Sequence, residues 1–538
     1  MKTILSLLRL KFLSRSEKEL LGYLLIFLIA FGVFFYIQYT PDFPDPDSFY
    51  HMKMSLLIRD GNLAHNFPWL SDYTILGKAY ADQHFLYHVF LIPFLTILSP
   101  AIGIKIATIF LGAFLVTGFY WFLKKEEIRL AGLYSILLLF TEPFTFRISL
   151  AKAPSVSLIF LLAILWCVFN YRLKLLFIIS AVFVWAYGGF PLALVLTLIY
   201  GIISVVFRFQ EKRNGILNKI FRYRPSLSSL IFKGKEIKLI LTALSGILTG
   251  LVINPYFPKN LSFYWSQLVE IGIVNYQKMI GVGGEWYPYQ FTRLVPNAVF
   301  LFLVLAAALV IFFLTIRKQS RKSFVLLILT LFFLVLTLKS RRYVEYFVPF
   351  GMLFGAFAIH PFLQKMDFRA LLRKMTSYYF SKKLIFTVLV IYFLVVVPTI
   401  VLRDLKQEHS SFGTGLRYDK FQAASTWLEN NTPEGSLVLH SDWDEFPILF
   451  YHNIHNHYIV GLDPTFMYQY NQDLYWKWVH ITTGEERNNL YDIIKNDFQN
   501  ATVFLEKDHV AMDNNFKNDS HFRLVYEDQE AKIYQIKQ

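Results

Sequence analysis

The chain has 538 residues, of which 55% are hydrophobic, 18% aromatic and only 17% charged, with 55 Phe. With a mean hydropathy of +0.42, that much apolar surface excludes an ordinary soluble protein and makes lipid the natural solvent. The net charge of +15 accompanies no nucleic-acid-binding motif; Lys and Arg gather at the ends of apolar runs, as in the inner loops of membrane proteins.

The N-terminal stretch Met1–Lys18 is basic and amphipathic. The run Leu20–Tyr39 has no small-residue cleavage site after it, so it is expected to be a retained span leading outward. Phe85–Leu98 is short and holds Pro93, which suits an interfacial or re-entrant segment. Ile102–Leu123 then leads in and Leu130–Phe146 out, around Lys124–Arg129. Further apolar runs are Val156–Phe169, Leu173–Tyr187, Pro191–Phe207, Leu239–Pro255, Val295–Ile316, Phe324–Leu338, Tyr343–Leu363 and Leu384–Leu402. If Phe85–Leu98 does not cross, the basic stretches Arg208–Lys238, Arg317–Lys322 and Gln364–Lys383 all fall inside. The single cysteine, Cys167, lies in an apolar run, so the chain forms no internal disulfide.

The tail has soluble composition. Phe421–Asn431 reads as a helix stopped by Asn430-Asn431-Thr432-Pro433-Glu434-Gly435. Ser436–His440 and Ala501–Leu505 read as strands, Arg487–Phe498 as a helix, and Phe522–Tyr526 with Lys532–Ile536 as a closing hairpin. The expected fold is a multi-pass α-helical membrane protein of about 11–13 spans over residues 1–402. External loops would span 40–84, 141–155 and 254–293, with a small extracytoplasmic α/β domain at 403–538. The implied location is the plasma membrane, with the N-terminus cytoplasmic.

The external segments carry the chemistry. In Pro44-Asp45-Pro46-Asp47-Ser48-Phe49-Tyr50-His51, prolines are expected to hold two acids on a short extended segment. Asp45 and Asp47 beside Tyr50 and His51 suit a general base, or ligands for Mg²⁺ or Mn²⁺, next to a sugar-phosphate bond. The same loop holds His65, Asp72, Asp82 and His84; the second holds Glu142, Arg147 and Lys152; the third holds Glu285-Trp286. Lys339, Arg341 and Arg342 lie against the positive-inside bias, where Arg can bind two phosphate oxygens at once. His452, His455 and His457 read as turn or domain-face histidines rather than a zinc site. Gly461-Leu462-Asp463-Pro464 reads as a turn or as a pocket wall. Trp185–Pro191 reads as a helix break, or as the side of a lipid-tail groove.

These motifs, in order, resemble the catalytic subunit of oligosaccharyltransferase among the C-type glycosyltransferases that use polyprenyl-phosphate sugars. Asp47-Ser48-Phe49-Tyr50-His51 resembles the first acidic motif, and Glu285 falls in the long loop where that family has a catalytic Glu. Arg341-Arg342-Tyr343, with Tyr346 and Pro349, resembles the stretch that contacts the lipid diphosphate. Trp427-Leu428, Asn431-Thr432-Pro433 and Ser441-Asp442-Trp443-Asp444-Glu445-Phe446-Pro447 resemble the entry to the soluble domain and its Trp-Trp-Asp-Tyr-Gly motif. Two places depart from the pattern. Phe146–Ser155 lacks the second acidic motif and offers Lys152 as a fixed cation, and the acceptor-reading motif is altered around Trp443 and Asp444.

The resemblance implies an enzyme that moves a sugar or oligosaccharide from a polyprenyl-phosphate or -diphosphate donor to a protein, lipid or glycan acceptor. Asp47 and Glu285 would be its catalytic carboxylates. Arg341, Arg342, His84, Lys152, Tyr50, His51, Trp443 and Asp444 would bind substrate, and any metal would sit on Asp45 and Asp47. A lipid or polysaccharide transporter, or a non-catalytic relative in a glycan-assembly complex, are the alternatives from other classes.

Overall fold

A computed structural model describes residues 14–216, 234–366 and 383–537. Most of the basic segments Met1–Lys18, Arg208–Lys238 and Gln364–Lys383 lie outside the described residues. Five described helices are long and apolar enough to cross a membrane, or seven if each of two sharply bent pairs is one span. The five are Ser16–Gln38, Pro100–Lys125, Pro191–Arg208, Arg321–Lys339 and Arg341–Lys365.

The breaks between helices position the site. The expected span Leu130–Phe146 is two short helices, Ala131–Leu139 and Glu142–Ser149. Pro143, in the first turn of the second, cannot continue a preceding helix. Glu142–Ser149 then meets Pro154–Phe169 at 114°, with Pro154 opening the second arm, so residues 150–153 form an elbow. Phe85–Ile97 is a separate 13-residue helix containing Pro93, directly followed by Pro100–Lys125. Leu173–Ala186 stops at Tyr187, and the chain restarts as a helix at Pro191. Val344–Lys365 is buried without a break over residues 344–358. Gly246 and Gly250 let Lys235–Val252 lie against the backbone of Phe177 and Ala181 on Leu173–Ala186, where a Cβ would collide.

The first external loop departs from its expected extended form. Pro46 takes helical φ −67° and ψ −25°, and Asp47 opens the helix Asp47–Arg59. The proline ring presets the dihedral that a helix start requires, and an acid in the first turn suits the helix dipole. Lys105 Nζ donates to Thr40 O at 2.5 Å and to Asp42 O at 2.8 Å, fixing the approach to this turn.

The last apolar helix runs without a break from Lys383 to Gly413, so residues 403–413 continue it. The tail then forms Gln422–Asn431 and a five-stranded sheet: β1 (Leu437–Leu439), β2 (His457–Tyr458), β3 (Thr502–Glu506), β4 (Phe522–Glu527) and β5 (Ala531–Ile536). Its order is β2-β1-β3-β5-β4; β2, β1 and β3 are parallel, while β5 is antiparallel to both β3 and β4. The expected helix at Arg487–Phe498 runs over residues 490–497, α-helical at Leu490–Asp492 and π-helical at Ile493–Asp497.

This domain is clamped onto the first loop. Phe43 and Leu416 exchange backbone hydrogen bonds of 2.8 and 2.6 Å. Trp69 Nε1 donates to Ile454 O at 2.9 Å, and His457 meets Asp72 at 2.9 Å. Helix Phe446–His452 packs on Asp47–Arg59 through buried aromatics, among them Phe49, Phe67, Phe446 and Phe450. Gly415 lies so close to the Phe43 carbonyl that a Cβ would collide with it, whereas a Cβ on Gly413 would meet Thr40 at an ordinary 3.6 Å. Gly415→Ala should therefore cost about 1–3 kcal/mol and lower the thermal midpoint of the detergent-solubilised protein, with Gly413→Ala close to parental. Equal midpoints for the two variants would show that the Phe43 bridge does not hold the domain.

Candidate active site

The elbow at residues 150–153, the helix start at Asp47, the loop around Glu285 and the start of Val344–Lys365 converge on one charged cluster. Lys152 Nζ lies 2.8 Å from Asp45 Oδ2, 2.7 Å from Asp47 Oδ2 and 3.9 Å from Glu285 Oε2. Arg147 reaches Glu285 at 2.7 Å and Glu345 at 2.8 Å. Arg342 reaches Glu285 at 3.2 Å and the Tyr187 hydroxyl at 3.2 Å, and its guanidinium lies 4.2 Å from the centre of the Trp286 ring. The other Asp45 oxygen accepts the Asp47 backbone N–H at 2.8 Å, tying the two acids in one turn.

Three cations thus serve four carboxylates, and each carboxylate touches at least one cation. Burial pushes the Asp45 carboxyl up from 3.8 to about 6; Lys152 pulls against that shift and Asp47 adds to it. Burial acts the same way on Glu285, but Arg342, Lys152 and Arg147 overcome it and hold that carboxyl well below its usual range. Glu285 is therefore a fixed anion bracing the cations.

A cavity of about 600 Å³ opens from this cluster. Its lining includes the charged residues Asp47, Lys152, Glu285 and Arg342, with Tyr50, His51 and His84. It also includes the apolar residues Leu192, Val195, Leu268, Ile271, Phe332 and Leu336. Trp185–Pro191 is a helix break, and its residues Tyr187–Gly189 and Pro191 form cavity wall. Leu462 and Asp463 form a wall as well. Asp463 accepts the Thr465 N–H at 2.9 Å, and burial pushes its carboxyl up to about 6.

Of the sequence candidates, Asp47, Glu285, Arg342, His84, Lys152, Tyr50 and His51 come together at the cavity. Arg341 does not: its side chain is exposed, and its backbone N–H donates to Tyr287 O at 2.9 Å. Within the tight 341–343 turn, Arg342 and Tyr343 line the cavity and Arg341 does not. Lys339 also lines the cavity. Trp443 and Asp444 are not part of the wall; the Trp443 ring packs against Gly283 in the loop that carries Glu285. Burial, Asp442 and Glu445, with smaller contributions from Asp45 and Asp47, push the Asp444 carboxyl up to about 7.

Asp45 and Asp47 do not suit Mg²⁺ or Mn²⁺. Their facing oxygens already share an ammonium at 2.7–2.8 Å, and the nearest further carboxylate, Glu285, is held by two arginines. A hard divalent ion needs about six oxygen donors and would meet Lys152 head on. His455 Nε2 donates to the Thr432 carbonyl at 2.8 Å, and His457 pairs with Asp72, as domain-face histidines do. The histidines that do cluster are His51, His84 and His88. The sequence singled out His51, His84 and Arg147 one by one but not His88 or Glu345, nor the cluster they form, because each meets its partners across distant segments.

No sequence-family model and no curated protein sequence matches the chain. Solved structures do. The apo oligosaccharyltransferase of Archaeoglobus fulgidus matches with a TM-score of 0.59 at 14% identity, over 91% of this chain and 71% of that one. The oligosaccharyltransferase AglB of the same organism, in complex with an inhibitory peptide and a dolichol-phosphate, matches with a TM-score of 0.59 at 15% identity, over 94% and 72%. ArnT from Cupriavidus metallidurans, bound to undecaprenyl phosphate, matches with a TM-score of 0.52 at 15% identity, over 95% and 98%. The chain is thus a multi-pass membrane protein with the fold that its motifs resemble.

The raised Asp45 carboxyl has a pH signature. The folded state holds this proton more tightly than the unfolded chain, so the stabilisation is complete below 3.8 and is lost as pH rises through about 6. Thermal midpoints of the parent should fall across that window, and Asp45→Asn should flatten the fall. A slope unchanged in the variant would assign the loss to other groups.

Proposed function

We propose that the protein is a membrane glycosyltransferase that moves a sugar or oligosaccharide from a polyprenyl-phosphate or -diphosphate to an acceptor at the outer face of the cell membrane. The observation that carries this reading is the cavity, about 600 Å³ in volume and lined by both charged and apolar side chains. That mixed lining suits a phosphate head on an isoprenoid tail. The dolichol-phosphate in AglB and the undecaprenyl phosphate in ArnT support the same donor class. In this reading the N-terminus is cytoplasmic, and residues 403–538, with the α/β domain following Gly413, are extracytoplasmic and cover the site.

Each group then has a task. Arg342, stacked on Trp286 and braced by Glu285, meets the leaving phosphate and stabilises its growing charge. Phosphate competes with Glu285 for this guanidinium, and Arg147 and Lys152 keep Glu285 satisfied when Arg342 turns away. Lys152 supplies the fixed positive charge beside Asp45 and Asp47 that a metal would otherwise bring. Asp47, in the cavity wall and tied to Lys152, orients the acceptor. The Trp443-Asp444 segment, next to the Glu285 loop, lies where it can read the acceptor.

Cells lacking the protein should accumulate one lipid-linked sugar and lose one glycoconjugate, which would identify both substrates; an unchanged profile would contradict the reading. A planar, two-pronged contact is lost in Arg342→Lys while charge and reach are kept. That variant should raise KM for the lipid-linked donor and lower turnover, by about 1.5–3 kcal/mol or roughly ten- to a hundred-fold in all. Parental kinetics at equal membrane level would return Arg342 to a mere anchor. With Lys152 in place, EDTA should leave most turnover intact; complete loss restored by Mg²⁺ or Mn²⁺ would overturn the internal-cation role.

A further inference from the structure

The transfer reading leaves a proton unassigned. An acceptor hydroxyl or amine must lose one as it attacks. Both carboxylates are already engaged by cations, Asp47 by Lys152 and Glu285 by two arginines.

His51 lies one turn beyond Asp47 on the helix Asp47–Arg59, on the same face, and lines the cavity. His84 caps the helix Phe85–Ile97, and His88 follows one turn later. His51 Nδ1 is 2.7 Å from His88 Nε2, and His88 Nδ1 is 2.6 Å from Asp82 Oδ2. Both side chains of the His88–Asp82 pair are fully buried.

The protons on this chain follow from the acceptors. Asp82 takes the His84 backbone N–H on Oδ1 at 2.9 Å and the His88 ring on Oδ2, so both of its oxygens accept. His88 Nδ1 therefore carries hydrogen, and in the neutral ring Nε2 is the lone pair. His51 Nδ1 must then donate to it, which leaves the lone pair of His51 on Nε2, free of the relay. Burial, and then the neighbouring imidazoles and Lys152, hold His51 well below its usual value, so the ring is neutral at rest.

We propose that His51 is a further catalytic residue, the general base of the transfer, held in its working tautomer by His88 and Asp82; this rests on the glycosyl-transfer reading above. In the step, the acceptor O–H or N–H bond breaks and its proton goes to His51 Nε2. The acceptor atom bonds to the anomeric carbon. The bond from that carbon to the phosphate oxygen breaks, and its electron pair leaves on the phosphate beside Arg342. The imidazolium that forms is offset by the Asp82 carboxylate through His88, and the proton passes to water as products leave. His88 and Asp82 are positioning residues.

The test uses the full chain in lipid nanodiscs, with lipid-linked sugars extracted from cells lacking the protein and release of polyprenyl phosphate as the readout. Undecaprenyl phosphate affinity reports whether each variant keeps its site. His51→Ala and His51→Gln should cut turnover about 10²–10⁴-fold, with donor KM and undecaprenyl phosphate affinity near parental. Added imidazole should restore turnover in His51→Ala, where the cavity has room, and not in Asp82→Asn. Asp82→Asn and His88→Gln should lower turnover with donor KM unchanged.

Parental turnover in both His51 variants would overturn the proposal. So would a loss of undecaprenyl phosphate affinity matching the turnover loss without imidazole rescue, which would make His51 a phosphate contact. The three imidazoles offer ligand atoms within 4.8 Å of one another. A chelator-inactivated parent revived by Zn²⁺, with one bound zinc lost in His51→Ala, would make the cluster a metal site instead. If the parent itself releases no polyprenyl phosphate, the transfer reading fails.

Discussion

One ammonium group shared by two carboxylates organises this protein. Lys152 lies between Asp45 and Asp47, within reach of Glu285, and through Glu285 it is linked to Arg147, Arg342 and Glu345. These groups come from four segments far apart in the chain. Charges withdrawn from water are tolerable only when paired and hydrogen-bonded, and removing one partner strands the others. The network therefore ties the first external loop, the elbow after Ser149, the Glu285 loop and the start of Val344–Lys365 into one geometry.

The bundle and the tail domain serve that geometry from opposite sides. Breaks at Pro143, Pro154 and Pro191 interrupt apolar helices where the site needs polar backbone and turning chain. The sheet domain, bridged to Phe43 and packed on Asp47–Arg59, closes the cavity with Leu462 and Asp463. In the proposed function, a lipid phosphate places its charged group among the paired residues and its tail against Leu268, Phe332 and Leu336 of the lining. The unusual feature is that the positive charge beside the acidic pair is covalently part of the chain.

Much of this was legible in the sequence. Apolar length located most of the helices, because a membrane span needs little more than composition. Turn residues and alternation located Gln422–Asn431, β1, β3 and the β4–β5 hairpin. The acidic pair, Lys152, Glu285 and Arg342 stood out as polar residues in unexpected places. What stayed hidden was whatever depends on partners rather than on local pattern. Pro46 reads as a helix breaker until its dihedrals show it starting one. Leu130–Phe146 reads as one span because its break is set by Pro143 inside an apolar run. Arg341 and Arg342 are equal in sequence, and only the turn between two helices turns one inward. Arg147 and Glu345 find each other across 198 positions, which no window can register.

The central claim is that an internal cation and Arg342 prepare this cavity for a lipid phosphate. The most direct measurement is a structure of the protein with undecaprenyl phosphate bound in a lipid nanodisc. The phosphate should contact the Arg342 guanidinium, with the tail along Leu268, Phe332 and Leu336, and Lys152 still bridging Asp45 and Asp47. A phosphate bound away from Arg342, or a divalent ion between the two acids with Lys152 displaced, would contradict the account.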